Sequence, residues 1–149
     1  MSKPTYLTIG GAPEGFDAKL ILAELEKSAR PVIHVARDDK RLAAMRAALQ
    51  FFAPDMPVLE FPGWDCLPFD RVSPNADIAA SRMAALATLA QGLPGPFILL
   101  TTLNAVTQRV PAREILRESA FVAQVGNRID ESGLRAFLVR MGFTQAPTV

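Results

Sequence analysis

Apolar residues along this chain fall into two textures: short, predominantly apolar runs, and longer stretches in which they recur at helical spacing. Runs at 6–9 (Tyr-Leu-Thr-Ile), Val32–Ala36, Val58–Phe61 and 97–102 have the length and β-branched content of buried strands. Between them, 17–27 sets Leu20, Ile21 and Leu25 largely on one side of a helix. A second helix follows Asp38 and Asp39, either of which suits its cap, and carries Leu42, Met45, Leu49 and Phe52. A third, over 75–91, carries Ile78, Met83, Leu86 and Leu89. Beyond the strand at 97–102 the pattern predicts a short helix over 103–110, stopped by Pro111, and a further turn over 113–117. A strand-like run at 121–125 and a helix over 130–141, closed by Gly142, complete the chain.

None of the 12 prolines interrupts a strongly helical run; they mark the gaps. Strands alternating with helices imply βαβ crossovers, hence a parallel sheet with helices on both faces. The fold class is therefore α/β, a three-layer parallel sheet flanked by helices. Residues 1–118 read as the α/β domain. Residues 119–149 read either as its last strand-helix unit or as the start of a second subdomain.

Composition narrows the classes of function. The 149 residues suffice for one cored domain, half of them hydrophobic. Sixteen basic against fifteen acidic residues leave a net charge of +1, which does not favour a broad nucleic-acid surface. The single cysteine, Cys66, cannot form an intramolecular disulfide, and no zinc ligand set is present. Neither a signal peptide nor a membrane-length apolar stretch is found, so a soluble cytoplasmic setting is the expectation.

The loop at 10–17 (Gly-Gly-Ala-Pro-Glu-Gly-Phe-Asp) sits where a phosphate-binding loop would stand, between a strand and a helix. Gly10 and Gly15 satisfy the glycine spacing of G-x-x-x-x-G-K-[ST], but Phe16 takes the lysine position and Asp17 the hydroxyl position. Phe16 cannot neutralise phosphate charge, and Asp17 and Glu14 would add like charge beside a polyanion. The loop reads as a degenerate nucleotide site or as a structural turn.

Other reactive residues point to structure. His34, the only histidine, lies within a strand among aliphatic neighbours. Cys66 stands beside Asp65, whose carboxylate disfavours a thiolate. Asp38 and Asp39 follow a strand in the manner of a carboxyl-end site, but helix capping explains them at lower cost. Arg109, Arg113 and Arg117 would share a helical face if Pro111 did not break it, leaving a solvated surface or a nucleic-acid or protein contact. As a small-molecule enzyme the chain is poorly equipped.

Residues 61–78 (Phe-Pro-Gly-Trp-Asp-Cys-Leu-Pro-Phe-Asp-Arg-Val-Ser-Pro-Asn-Ala-Asp-Ile) carry a long motif. It resembles a signature of the bacterial transcription-repair coupling factors: Pro-x-Trp-(Asp/Glu)-x-Leu-Pro-(Tyr/Phe)-Asp-x-x-Ser-Pro, then a helix opening with Asp-Ile. Pro62, Trp64, Asp65, Leu67, Pro68, Phe69, Asp70, Ser73, Pro74, Asp77 and Ile78 match it in turn. The segment from Thr101 to Pro111, with Gln108-Arg109-Val110, also looks like that family's. The resemblance implies a degenerate P-loop NTPase or helicase-like fold, similar to the first domain of the repair protein UvrB but stripped of nucleotide-binding residues. It implies no catalytic residue, metal or cofactor here, ATP and Mg²⁺ belonging to motor domains this chain lacks. Implied partners are UvrA and the family's downstream domains, with RNA polymerase and DNA reached through absent domains. Because the chain ends near the start of the second subdomain, the resemblance implies that much of the UvrA surface lies beyond it. The competing expectation is a stand-alone nucleotide or phosphate-ester enzyme on the same fold. Besides this, Trp64, Leu67 and Phe69 are expected to tuck onto the sheet edge or a helix, with Asp70 and Arg71 left to cap or pair.

Overall fold

The structure, a computed structural model, describes residues 6–66, 69, 71–123 and 125–146. Helix α1 (Phe16–Ser28) leads into β1 (Val32–Ala36), α2 (Asp39–Phe52), β2 (Val58–Phe61), α3 (Ala76–Gln91) and β3 (Ile98–Thr102). Three further helices follow: α4 (Leu103–Val106), α5 (Arg113–Glu118) and α6 (Glu131–Arg140). The three strands form a parallel sheet in the order β1-β3-β2. β1 and β2, consecutive in the chain, are thus not neighbours; β3 inserts between them.

Register decides which side chains share a face. Ile98 pairs with Val32 and Val58, and Leu100 with His34 and Glu60, so this row faces α1 and α2. There Ile98 and Leu100 pack with Ala18, Leu25, Leu42, Met45 and Leu49. The alternate row, Leu99 and Phe61, packs against Ala85 and Leu86 of α3, Ala105 of α4 and Leu116 of α5. Helices flank the sheet on both faces, the three-layer α/β arrangement that the sequence pattern implies, although Ile33 and Val35 of β1 stay exposed on the second face. Thr101, fully buried on this second face, donates its hydroxyl to the Phe61 carbonyl at 2.9 Å, so its polarity costs little.

The helix ends follow their capping chemistry. Asp38 accepts the Arg41 N–H at 2.9 Å and opens α2, Asn75 accepts the Asp77 N–H at 2.8 Å and opens α3, and Asp130 opens α6. Gly142, at φ +87°, stands in the left-handed conformation just past α6.

Three expectations are corrected. Residues 6–9 form no strand: Tyr6 and Leu7 are exposed, and the run pairs with neither outer edge of the β1-β3-β2 sheet. An apolar run becomes a strand only where a ladder accepts its backbone groups. The described part of 121–125 is likewise outside any strand. The helix expected over 103–110 stops at Val106, because the Thr107 hydroxyl turns back onto the carbonyls of Leu103 and Asn104.

The two-sided burial of β3 yields a test. Leu100→Ala should cost about 2–5 kcal/mol in urea unfolding. Val139→Ala on exposed α6 should stay within about 0.5 kcal/mol. Equal losses at the two sites would contradict a core centred on β3.

Candidate functional site

The glycine loop meets the carboxyl end of β1 and the flank of α2 around an open cleft of about 730 Å³. Gly15, at φ +81°, adopts the left-handed conformation at the N-cap of α1, and the Phe16 N–H bonds back to the Pro13 carbonyl at 3.1 Å. With residues 6–9 outside the sheet, the loop is a lead-in to α1 rather than a strand-to-helix turn. The cleft is lined by Glu14, Asp17, His34, Arg37 and Arg41, two carboxylates facing two guanidinium groups. Both cations are already engaged: Arg41 with Glu14 at 3.7 Å and Arg37 with Asp38 at 3.0 Å. Phe16 is partly exposed and brings no charge. Gly10 lies at the loop's exposed start, where an added Cβ would meet no atom within 4 Å.

The second signature region begins where the chain leaves β2. The Trp64 N–H donates to the Gln108 side-chain carbonyl at 3.3 Å, so the two family-like segments, far apart in sequence, meet in space. Asp65 accepts the Asn75 N–H with both carboxylate oxygens, at 3.2 and 3.3 Å, tying the loop's first residues to the start of α3. Gly63 lies against α4, where an added Cβ would stand 3.3 Å from the Asn104 amide nitrogen. The Arg82 guanidinium is sandwiched between the Phe61 ring, 4.2 Å from its centroid, and the Trp64 ring, at 4.4 Å. It also donates to the Pro62 carbonyl. Cation–π contacts of desolvated groups are worth about 2 kcal/mol each.

The remaining signature residues are distributed differently. Trp64 is half-buried as expected, but Phe69 is 96% exposed, with no sheet edge or helix covering it. Ser73, Pro74 and Arg109 are exposed. Leu67, Pro68 and Asp70 lie outside the described residues. Arg82 was not singled out by sequence reasoning. The available signal was its helical phase: it stands four residues after Ile78 and four before Leu86, a charge on an apolar stripe.

The other candidates resolve into local structure. Asp38 caps α2, and hydrogen bonds from the Arg41 N–H and then the Arg37 side chain hold its carboxyl below the usual carboxylate range. Cys66 is a partly buried free thiol. The arginine stripe does not form one face: Arg113 and Arg117 both turn to the Ala90 carbonyl, at 3.2 and 2.7 Å, near the C-terminal end of α3. Among the described residues, no group of three or more His, Cys, Asp or Glu could hold a metal, and no helix is long and apolar enough to cross a membrane.

Comparison with known proteins bears on the signature directly. The chain is 35% identical to the transcription-repair-coupling factor of Myxococcus xanthus, in a match spanning 87% of this chain and 11% of that protein. It is 30% identical to the factor of Escherichia coli K12 over 89% of this chain and 11% of that protein. The Haemophilus influenzae factor is 27% identical over 91% of the chain and 12% of its own length. The chain is homologous to the N-terminal module of transcription-repair-coupling factors. It thus spans only about a tenth of the length of these curated relatives. No protein-family model matches it.

His34, beside this cleft on edge strand β1, gives a pH test. Burial lowers its pKa from the ordinary 6.5, against an opposing pull from the Asp17 carboxylate. A lowered imidazole pKa means that the unfolded chain takes up the proton first. Stability should therefore fall as pH drops below about 6.5 and level off beneath the folded value. His34→Gln should remove that component of the stability–pH curve; identical curves for the two proteins would contradict a half-buried imidazole that favours the neutral form.

Proposed function

We propose that this chain is a non-catalytic scaffold and interaction module in transcription-coupled nucleotide excision repair. The observation that carries this reading is the glycine loop. It keeps Gly10 and Gly15, holds Phe16 where a phosphate-binding lysine belongs, and has the arginines beside it occupied by Glu14 and Asp38. Homology to transcription-repair-coupling factors over nearly the whole chain supplies the setting. On this reading the parent protein is an ATP-dependent DNA translocase that displaces stalled RNA polymerase and recruits UvrA. The motor belongs to the larger part of the relatives that this chain does not match. The module's part is recruitment or autoinhibition through its surface, in the cytoplasm, without ATP or Mg²⁺ of its own.

Calorimetric titration with Mg²⁺-ATP is expected to give no saturable heat; micromolar, Mg²⁺-dependent binding would overturn the proposal. It would favour instead a nucleotide or phosphate-ester enzyme, for which the cleft beside Gly15 is the supporting observation. The recruiting surface is tested by capture of UvrA with this chain and with a version extended through the second subdomain. Capture by the longer protein alone would place that surface beyond Val149. A gel shift should show no DNA affinity that falls steeply with salt.

A further inference from the structure

Arg82 is a cation with 1% of its surface exposed, on a helix face that otherwise buries Ala85 and Leu86. No carboxylate pairs with it among the described ion pairs, and its Nε–H is buried without an acceptor among the described residues. Burial accordingly lowers its pKa. A leucine or methionine would fill this volume without desolvating a charge, and replacing buried ions by apolar groups is often neutral or stabilising. Packing therefore does not account for an arginine here.

What the guanidinium makes is directional. Its Cζ stands over the ring of Phe61, the last residue of β2, and over that of Trp64, while one nitrogen donates to the carbonyl of Pro62 between them in sequence. The three contacts fall on the last residue of the strand and the first residues after it, where the ladder to β3 ends at Phe61–Thr101. Prolines and glycines do not by themselves choose the direction in which residues 62–65 leave the sheet. We infer that Arg82 is a positioning residue, which fixes the exit of the chain from β2 and holds Trp64 over α3 at the base of the signature loop. The Gln108 contact to the Trp64 N–H and the Asp65 contact to Asn75 are then set by that exit. This inference concerns the conformation of the chain and stands apart from the proposed repair function.

Trp64 is the only tryptophan, so its fluorescence reports the site alone. In Arg82→Met, which keeps the length of the stem, far-UV circular dichroism should show the native helix content. Trp64 emission should shift to the red and acrylamide quenching should rise several-fold. Arg82→Lys, which keeps the charge but not the flat fork, should behave like Arg82→Met rather than like wild type. Wild-type emission and quenching in folded Arg82→Met would show that side-chain volume suffices and would overturn the inference. If neither variant folds, the wild-type protein decides by nuclear magnetic resonance. A slowly exchanging Arg82 Nε–H signal, displaced upfield by the two rings, supports the sandwich, whereas a fast-exchanging signal at the random-coil position overturns it.

Discussion

β3 meets two demands at once: its backbone hydrogen-bonds to a strand on each side, and its side chains are buried on both faces of the sheet. Ile98 and Leu100 supply one face and Leu99 the other, so the strand cannot move in register without turning both rows toward the wrong helices. The rest of the molecule is arranged around that requirement. α1 and α2 close one face; α3, with α4 and α5, closes the other. The Thr101 hydroxyl, the one polar side chain of β3 directed into the second face, is satisfied by the end of β2.

Around this core, charge is handled by local pairing rather than left for a ligand. Asp38 is spent on a helix cap and on Arg37, Glu14 on Arg41, and Glu60 on Arg46 at 3.1 Å across the α2 side of the sheet. Arg113 and Arg117 lie at the carbonyl end of α3. Exposed pairs of this kind contribute about 1 kcal/mol or less each. The cations beside the glycine loop are among those that face carboxylates. The signature region is likewise part of the architecture, since Trp64, Asp65 and Gln108 join the exits of β2 and β3 to the start of α3.

Elements carried by periodicity and caps were legible in the chain: α2 from the Asp38-Asp39 pair and its apolar spacing, α3 from its apolar spacing over 75–91, α6 from the pattern over 130–141 and Gly142. Strands Val32–Ala36, Val58–Phe61 and Ile98–Thr102 were legible as apolar runs, and the homology was legible in the motif around Trp64. The segment 6–9 was not separable from them, because a strand is defined by a neighbour's hydrogen bonds and the run contains no information about that neighbour. Phe69 failed for the converse reason: a large apolar side chain favours burial only where packed atoms lie within reach. Arg82 was overlooked because a charged residue in an apolar stripe reads as an interruption until its partners are known.

By itself, the sequence determined the number and kind of layers, the presence and order of the main helices, and the Phe at position 16 where a phosphate-binding loop carries Lys, all of which rest on local spacing and side-chain identity. Only the tertiary structure decided the strand order β1-β3-β2, the exclusion of residues 6–9 from the sheet, and the meeting of Trp64 with Gln108 and Arg82. Those are long-range choices. They depend on which backbone edges and apolar faces remain open once β3 is seated, and no window of neighbouring residues encodes that.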